Sequence, residues 1–218
     1  MGRERRGTDG ETAGPCTDRF WPCVTAFGAL WGVLEITLGS FLHTLHVPFT
    51  GMLLASAGAG LLVSQRQVLP RRGASLATGF VAALCKSMSP GGVILGPMLG
   101  ILAEAALVEA ALLPAPRFAG TAMLAGMLAA SWAAFQKLFV QYLLYGGTVL
   151  DLYLSLLGQA ASFLGIPESA GWPVLAGVLA AIAAVGAAGG LLGWRIGREG
   201  LRVLAARTGD ARAGEVRR

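Results

Sequence analysis

Apolar residues run along this chain in long blocks, separated by short polar or proline-bearing joints, from about residue 22 to residue 194. A helix needs roughly 20 apolar residues to cross a bilayer, within a range of about 17–25. By that measure the pattern predicts six spans, over residues 22–45, 47–64, 73–88, 92–113, 118–146 and 172–194. The third is short, and the fifth is long enough to tilt. Pro48, Pro70, Pro90, Pro114, Pro116, Pro167 and Pro173 fall at the joints, where helix-stopping residues belong.

Residues 148–166 are apolar enough to form a seventh span. Their polar positions Asp151, Ser155, Gln159 and Ser162 instead repeat at helical spacing. The expectation is an amphipathic helix at the outer interface between spans five and six, either capping the bundle or lying on the lipid surface.

Composition agrees with this pattern. Of 218 residues, 55% are hydrophobic and 13% charged, against about 25% charged in an ordinary soluble domain. That excludes a disordered chain, a disulfide scaffold and almost any soluble globular fold. The fold class expected is all-α integral membrane.

The net charge of +5 would suggest nucleic acid in a soluble protein, but its placement argues for a bilayer. Arg3, Arg5, Arg6 and Arg19 precede the first span. Arg66, Arg71 and Arg72 lie between the second and third, Arg117 between the fourth and fifth, and seven arginines follow Trp194. The joint at His46 and the stretch 147–171 hold no Lys or Arg. Basic residues favour the cytoplasmic side, so both termini are expected inside. The expected organisation is a polar basic tail over 1–20, a transmembrane domain over 21–196 and a second basic cytoplasmic tail over 197–218. No small-x-small cleavage site follows the first apolar run, which therefore reads as a retained span. Cys16, Cys23 and Cys85 match no zinc spacing and read as reduced, unpaired thiols.

Ionisable groups inside spans are costly, roughly 2.5–3.5 kcal/mol each at a helix centre, and mark function by default. Glu35, Glu104, Glu109 and Lys137 are such groups. In the first span Gly28, Gly32, Glu35, Gly39, His43 and His46 form one stripe at spacings of three and four. Lys137, Gln141 and Tyr145 share a face of the fifth span, with Tyr142 beside it. Gly96, Gly100 and Glu104 align on the fourth. With the expected orientation, His43, His46, Cys85, Lys86, Lys137, Gln141, Tyr142 and Asp151 fall in the outer half, and Glu35 and Glu104 form a floor. The reading is a polar pocket open to the outside, with structural ion pairing of Glu35 or Glu104 with Lys137 as the plainer alternative. The pair His43 and His46, with Cys85 as a soft ligand, is a weak metal candidate. Lys86-Ser87 lacks the preceding glycine of a phosphate-binding loop, and neither H-E-x-x-H nor G-x-S-x-G occurs. No enzymatic activity and no cofactor are expected.

Six spans, both termini inside, a small-residue first span and an outward polar pocket resemble the substrate-binding S components of energy-coupling factor transporters. The resemblance covers roughly residues 20–196. It implies a subunit of a bacterial cytoplasmic (inner) membrane that binds a small nutrient, such as a vitamin, cofactor precursor or metal species. Transport would be powered by a transmembrane T component and cytoplasmic ATPases. It also implies that Gly28 and Gly32 contact the T component, although that family's motif is alanine-based. Substrate would meet Glu35, His43, His46, Lys86, Glu104, Lys137, Gln141 and Tyr142. Residues 31–51 and 86–109 also resemble a bacterial six-span membrane family of unassigned substrate. Two alternatives stand beside this reading: a stand-alone transporter or channel moving ions through Glu35, Glu104 and Glu109, and a membrane scaffold without transport.

Overall fold

The computed structural model describes residues 20–45, 50–88, 95–145 and 171–216. Among these residues the chain is entirely helical. Six helices follow one another: α1 (Phe20–Thr44), α2 (Thr50–Val68), α3 (Ala74–Ser87), α4 (Leu95–Leu112), α5 (Ala119–Tyr145) and α6 (Gly171–Val216). Each overlaps one of the apolar blocks. Two stretches, Phe20–Leu42 and Ala176–Ala206, are long and apolar enough to cross a membrane, and only 28% of each is buried within the chain. Residues 148–166 lie outside the described residues.

The boundaries move where local chemistry overrides hydropathy. α2 runs on past Ser64, the end of the expected span, to Val68, so that Ser64, Gln65, Arg66 and Gln67 form a polar last stretch of helix. All four are buried, and most of their polar atoms find partners on neighbouring helices and turns, while Gln65 Oε1 and Arg66 Nε have no hydrogen-bond partner among the described residues. Gln65 Nε2 donates to Thr78 Oγ1 at 2.6 Å, and Gln67 Nε2 donates to the Pro116 carbonyl at 2.6 Å. α6 continues past Trp194 through the arginines to Val216. Residues 197–216, read from charge as a tail, are helical: they hold no proline, are rich in Ala and Arg, and carry an i,i+3 pair, Glu199–Arg202, at 3.0 Å.

α2 is the hub of the bundle. It touches all five other helices, and the outer order runs α1, α3, α4, α5, α6. The core is unusually rich in alanine: Ala59, Ala82, Ala83, Ala105, Ala122, Ala125 and Ala129 surround Trp31, Leu62, Val63 and Val108. Small side chains let helix backbones approach closely, so dispersion over many atoms replaces bulky interdigitation.

α6 takes this furthest. Gly189 and Gly193 face Ser56 and Gly60 of α2, while Gly186 and Gly190 face Gly126 and Ala122 of α5. A Cβ on Gly193 would lie 2.6 Å from Gly60 Cα, so no side chain fits there. The Ser64 hydroxyl closes the seam, lying 2.8 Å from the Gly193 carbonyl and 2.9 Å from that of Gly60. Trp194 Nε1 pins the same helix to the Arg117 carbonyl at 2.8 Å.

Trp31 of α1 is fully buried, its indole set against Gly58 of α2 and Gly79 of α3. Hydroxyls on the outward faces are satisfied locally. Thr25, Thr37 and Thr44 each donate to the carbonyl four residues earlier, at 2.9, 2.7 and 2.9 Å.

Candidate functional site

Two polar constellations emerge, and their chemistry differs.

The first is centred on Glu109 and Arg66, with Arg66 Nε and Ser75 Oγ left without hydrogen-bond partners among the described residues. Glu109 of α4 reaches the start of α3, where Gly73 is left-handed at φ 82° and has no side chain with which to cap the helix. Glu109 Oε1 accepts from Gly73 N–H at 2.8 Å and Oε2 accepts from Ser75 N–H at 3.0 Å, so a neighbouring helix supplies the missing cap. Arg66 Nη2 stands 3.5 Å from Glu109 Oε1, and Arg66 Nη1 donates to the Arg71 carbonyl. Burial draws the Arg66 pKa below its ordinary value; the Glu109 carboxylate opposes that shift and the Arg72 charge adds to it. With both Glu109 oxygens committed, this cluster fixes the α2–α3 turn.

The second constellation surrounds a cavity of about 370 Å³ between α1, α2, α4 and α5. Its polar lining is Glu35 from α1, Glu104 from α4 and Gln136 from α5. Gly51, Gly96, Gly100 and Ala133 leave the space open, and Leu54, Pro97 and Ile101 give it apolar walls. A Cβ on Gly51 or Gly96 would meet nothing within 4 Å, whereas one on Gly100 would strike the Gln136 carboxamide. Gln136 Nε2 donates to the Gly96 carbonyl at 2.7 Å, which orients the amide and leaves Oε1 as an acceptor.

The two glutamates are held differently. Glu35 is 8% exposed. Lys86 Nζ, reaching over from the last turn of α3, lies 3.8 Å from Glu35 Oε2 and donates to the Glu35 carbonyl at 3.2 Å. Glu104 is 7% exposed, and its Oε2 has no hydrogen-bond partner among the described residues. A buried polar atom without a partner is costly and calls for an explanation.

The structure thus brings together Glu35, Glu104 and Lys86 of the residues singled out from sequence. The face Gly96, Gly100, Glu104 lines the cavity as its spacing suggested. His46 and Asp151 lie outside the described residues, as do the side chains of His43, Lys137, Gln141 and Tyr142. Of the two cavity glutamates, Glu35 forms an ion pair among the described residues, with Lys86.

Gln136 is the residue that sequence reasoning missed. It is the only polar side chain in residues 132–136, and its neighbour Lys137 drew attention by its charge although it sits about 100° further round the helix.

Gly28 and Gly32, expected to meet a partner subunit, meet α3 instead. A Cβ on Gly28 would lie 2.6 Å from Val81 Cβ, and one on Gly32 2.5 Å from Cys85 Cβ. Close packing was the right physical reading of these glycines, but α3 of the same chain fills the face. Cys85 packs against Gly32 at this contact, and its half-buried thiol is in no disulfide. Among the described residues no group of three or more His, Cys, Asp or Glu is placed to hold a metal.

No family model matches the chain, nor does any curated protein or solved structure.

Proposed function

We propose that the chain is a multi-pass membrane protein that binds a small polar solute in the α1/α2/α4/α5 cavity and serves its transport. The membrane reading is supported by the two spanning-length helices and by large apolar side chains that point outward on α1, α4, α5 and α6, among them Phe41, Leu99, Phe135 and Ile196. In this reading six helices enter the bilayer with both ends cytoplasmic. α6, at 46 residues, is about 69 Å long, more than twice the ~30 Å hydrocarbon core, so its arginine-rich end extends into the cytoplasm.

One observation carries the solute site: two carboxylates from different helices line one cavity, and an oxygen of Glu104 is left without a partner there. Groups of this kind inside a bilayer face a pathway or a ligand. An S component working with partner ATPases is one form of the proposal. Since α3 fills the Gly28–Gly32 face, that form needs another docking surface for the T component. Ion-coupled transport by the chain alone is the other form, and Glu109, with both oxygens committed, has no part in it.

The test is native mass spectrometry of the full chain purified from membranes. The wild type is expected to carry a small molecule that is depleted in Glu104→Gln and in Gly96→Leu, whose side chain enters the open space. Equal occupancy in all three, or none in the wild type after exposure to a metabolite extract, contradicts the proposal. Liposomes holding this chain alone then separate the two forms: solute movement under an ion gradient requires the stand-alone one.

A further inference from the structure

We infer that the cavity selects a small organic cation, with an ammonium group seated at Glu104 and a hydrocarbon body against Leu54, Pro97 and Ile101. The inference rests on the reading of this cavity as a solute site and adds the charge and class of the solute.

The polar lining is acceptor-rich. Glu35 and Glu104 contribute carboxylates. Gln136 has turned its N–H toward the Gly96 carbonyl and offers Oε1. Donors to the lining are few among the described residues: Lys86 and the Trp31 indole reach Glu35 from outside the lining. A carboxylate without a partner away from water is expensive, and Glu104 Oε2 has no partner among the described residues. A monocation bearing N–H donors supplies that partner and lets Glu104 carry its charge there.

Shape and wall chemistry narrow the class. About 370 Å³ lies near the lower end of the ~300–1,000 Å³ typical of small-molecule pockets, far more than a bare ion fills. Calcium takes roughly six to eight oxygen ligands, and among the described residues no group of three or more His, Cys, Asp or Glu is placed to hold a metal. Leu54, Pro97 and Ile101 offer nothing to a hydrated ion and a good surface to a short hydrocarbon. An anionic solute would meet a surplus of acceptors.

The experiment measures the thermal stability of the full chain in detergent with three probes on one four-carbon skeleton: butylammonium, butanol and butyrate. Sodium and magnesium chloride serve as further arms, and each is run on wild type, Glu104→Gln and Gly96→Leu. Butylammonium is expected to stabilise the wild type with an apparent affinity about tenfold or more above that of butanol, and to lose about tenfold in Glu104→Gln, as expected for a charge-assisted hydrogen bond. Butyrate should be the weakest. If butanol or butyrate matches butylammonium and Gly96→Leu abolishes the response, the charge inference fails while the solute site stands. If Gly96→Leu alters none of the responses, the cavity reading itself fails. Stabilisation by sodium or magnesium that equals that of butylammonium and depends on Glu104 overturns the organic class. So does a butylammonium response that is absent or that Glu104→Gln leaves intact.

Discussion

Lys86 Nζ and Glu35 Oε2 stand 3.8 Å apart across the α1–α3 contact, and the same ammonium donates to the Glu35 main-chain carbonyl at 3.2 Å. The lysine is therefore held by two acceptors on one residue, and Glu35 meets the cavity already partly neutralised. Lys86→Met should lower stability by about 1–3 kcal/mol. That is below the ~3–5 kcal/mol for breaking a fully buried pair, because the Lys86 side chain is 21% exposed. Combining it with Glu35→Gln should recover most of the loss. Thermal unfolding of the four members of the cycle in detergent measures the coupling; strictly additive losses would show that the pair does not interact.

The α6 seam makes a sharper prediction. Gly193→Ala places a methyl group on the Gly60 backbone, and overpacking of this kind costs about 1–3 kcal/mol. Gly177→Ala on the same helix enters open space and should be neutral or stabilising by up to about 1 kcal/mol through helix propensity. The melting temperatures of the two variants should move in opposite directions or differ clearly. Equal shifts would mean that α6 does not dock on α2 through its glycines.

Glu109→Ala removes the acceptor of two α3 amides and the partner of Arg66 at once. With side chains 2% and 6% exposed, the loss should reach about 3–5 kcal/mol. Arg66→Met in the same chain should soften it by removing the stranded charge. Hydrogen exchange should show the amides of residues 73–77 as the first to lose protection in Glu109→Ala. Protection unchanged there would contradict the capping role.

The helices were legible because apolar block length and proline position are local properties. The existence and approximate extent of α1, α3, α4 and α5 follow from them. The ends of α2 and α6 were not, since Gln65, Arg66 and Gln67 are rendered helical and buried by partners on α3, α4 and the turn before α5, and such partners leave no mark at the residues themselves. The glycine stripe on α1 was legible as a close-packing face, while the identity of the helix that fills it depends on tertiary arrangement. For the site, Glu35, Glu104 and the Gly96–Gly100 face stood out as anomalies in apolar sequence. Gln136 did not: an uncharged amide between Phe135 and Lys137 gains meaning only once Gly96 supplies its acceptor.

The central claim, an open polar cavity inside a membrane-embedded bundle, is tested most directly by comparing two positions one turn apart on α4. Gly96 lines the cavity, and Leu99 is 64% exposed on the outer face. Gly96→Cys and Leu99→Cys are made in a chain whose native Cys16, Cys23 and Cys85 are alanine. Membrane vesicles are then treated with a charged, water-soluble thiol reagent, which needs water to reach and ionise its target. The account predicts rapid labelling at residue 96 and protection at residue 99, where acyl chains cover the helix. Rapid labelling at residue 99 together with a silent residue 96 would contradict both the cavity and the membrane around it.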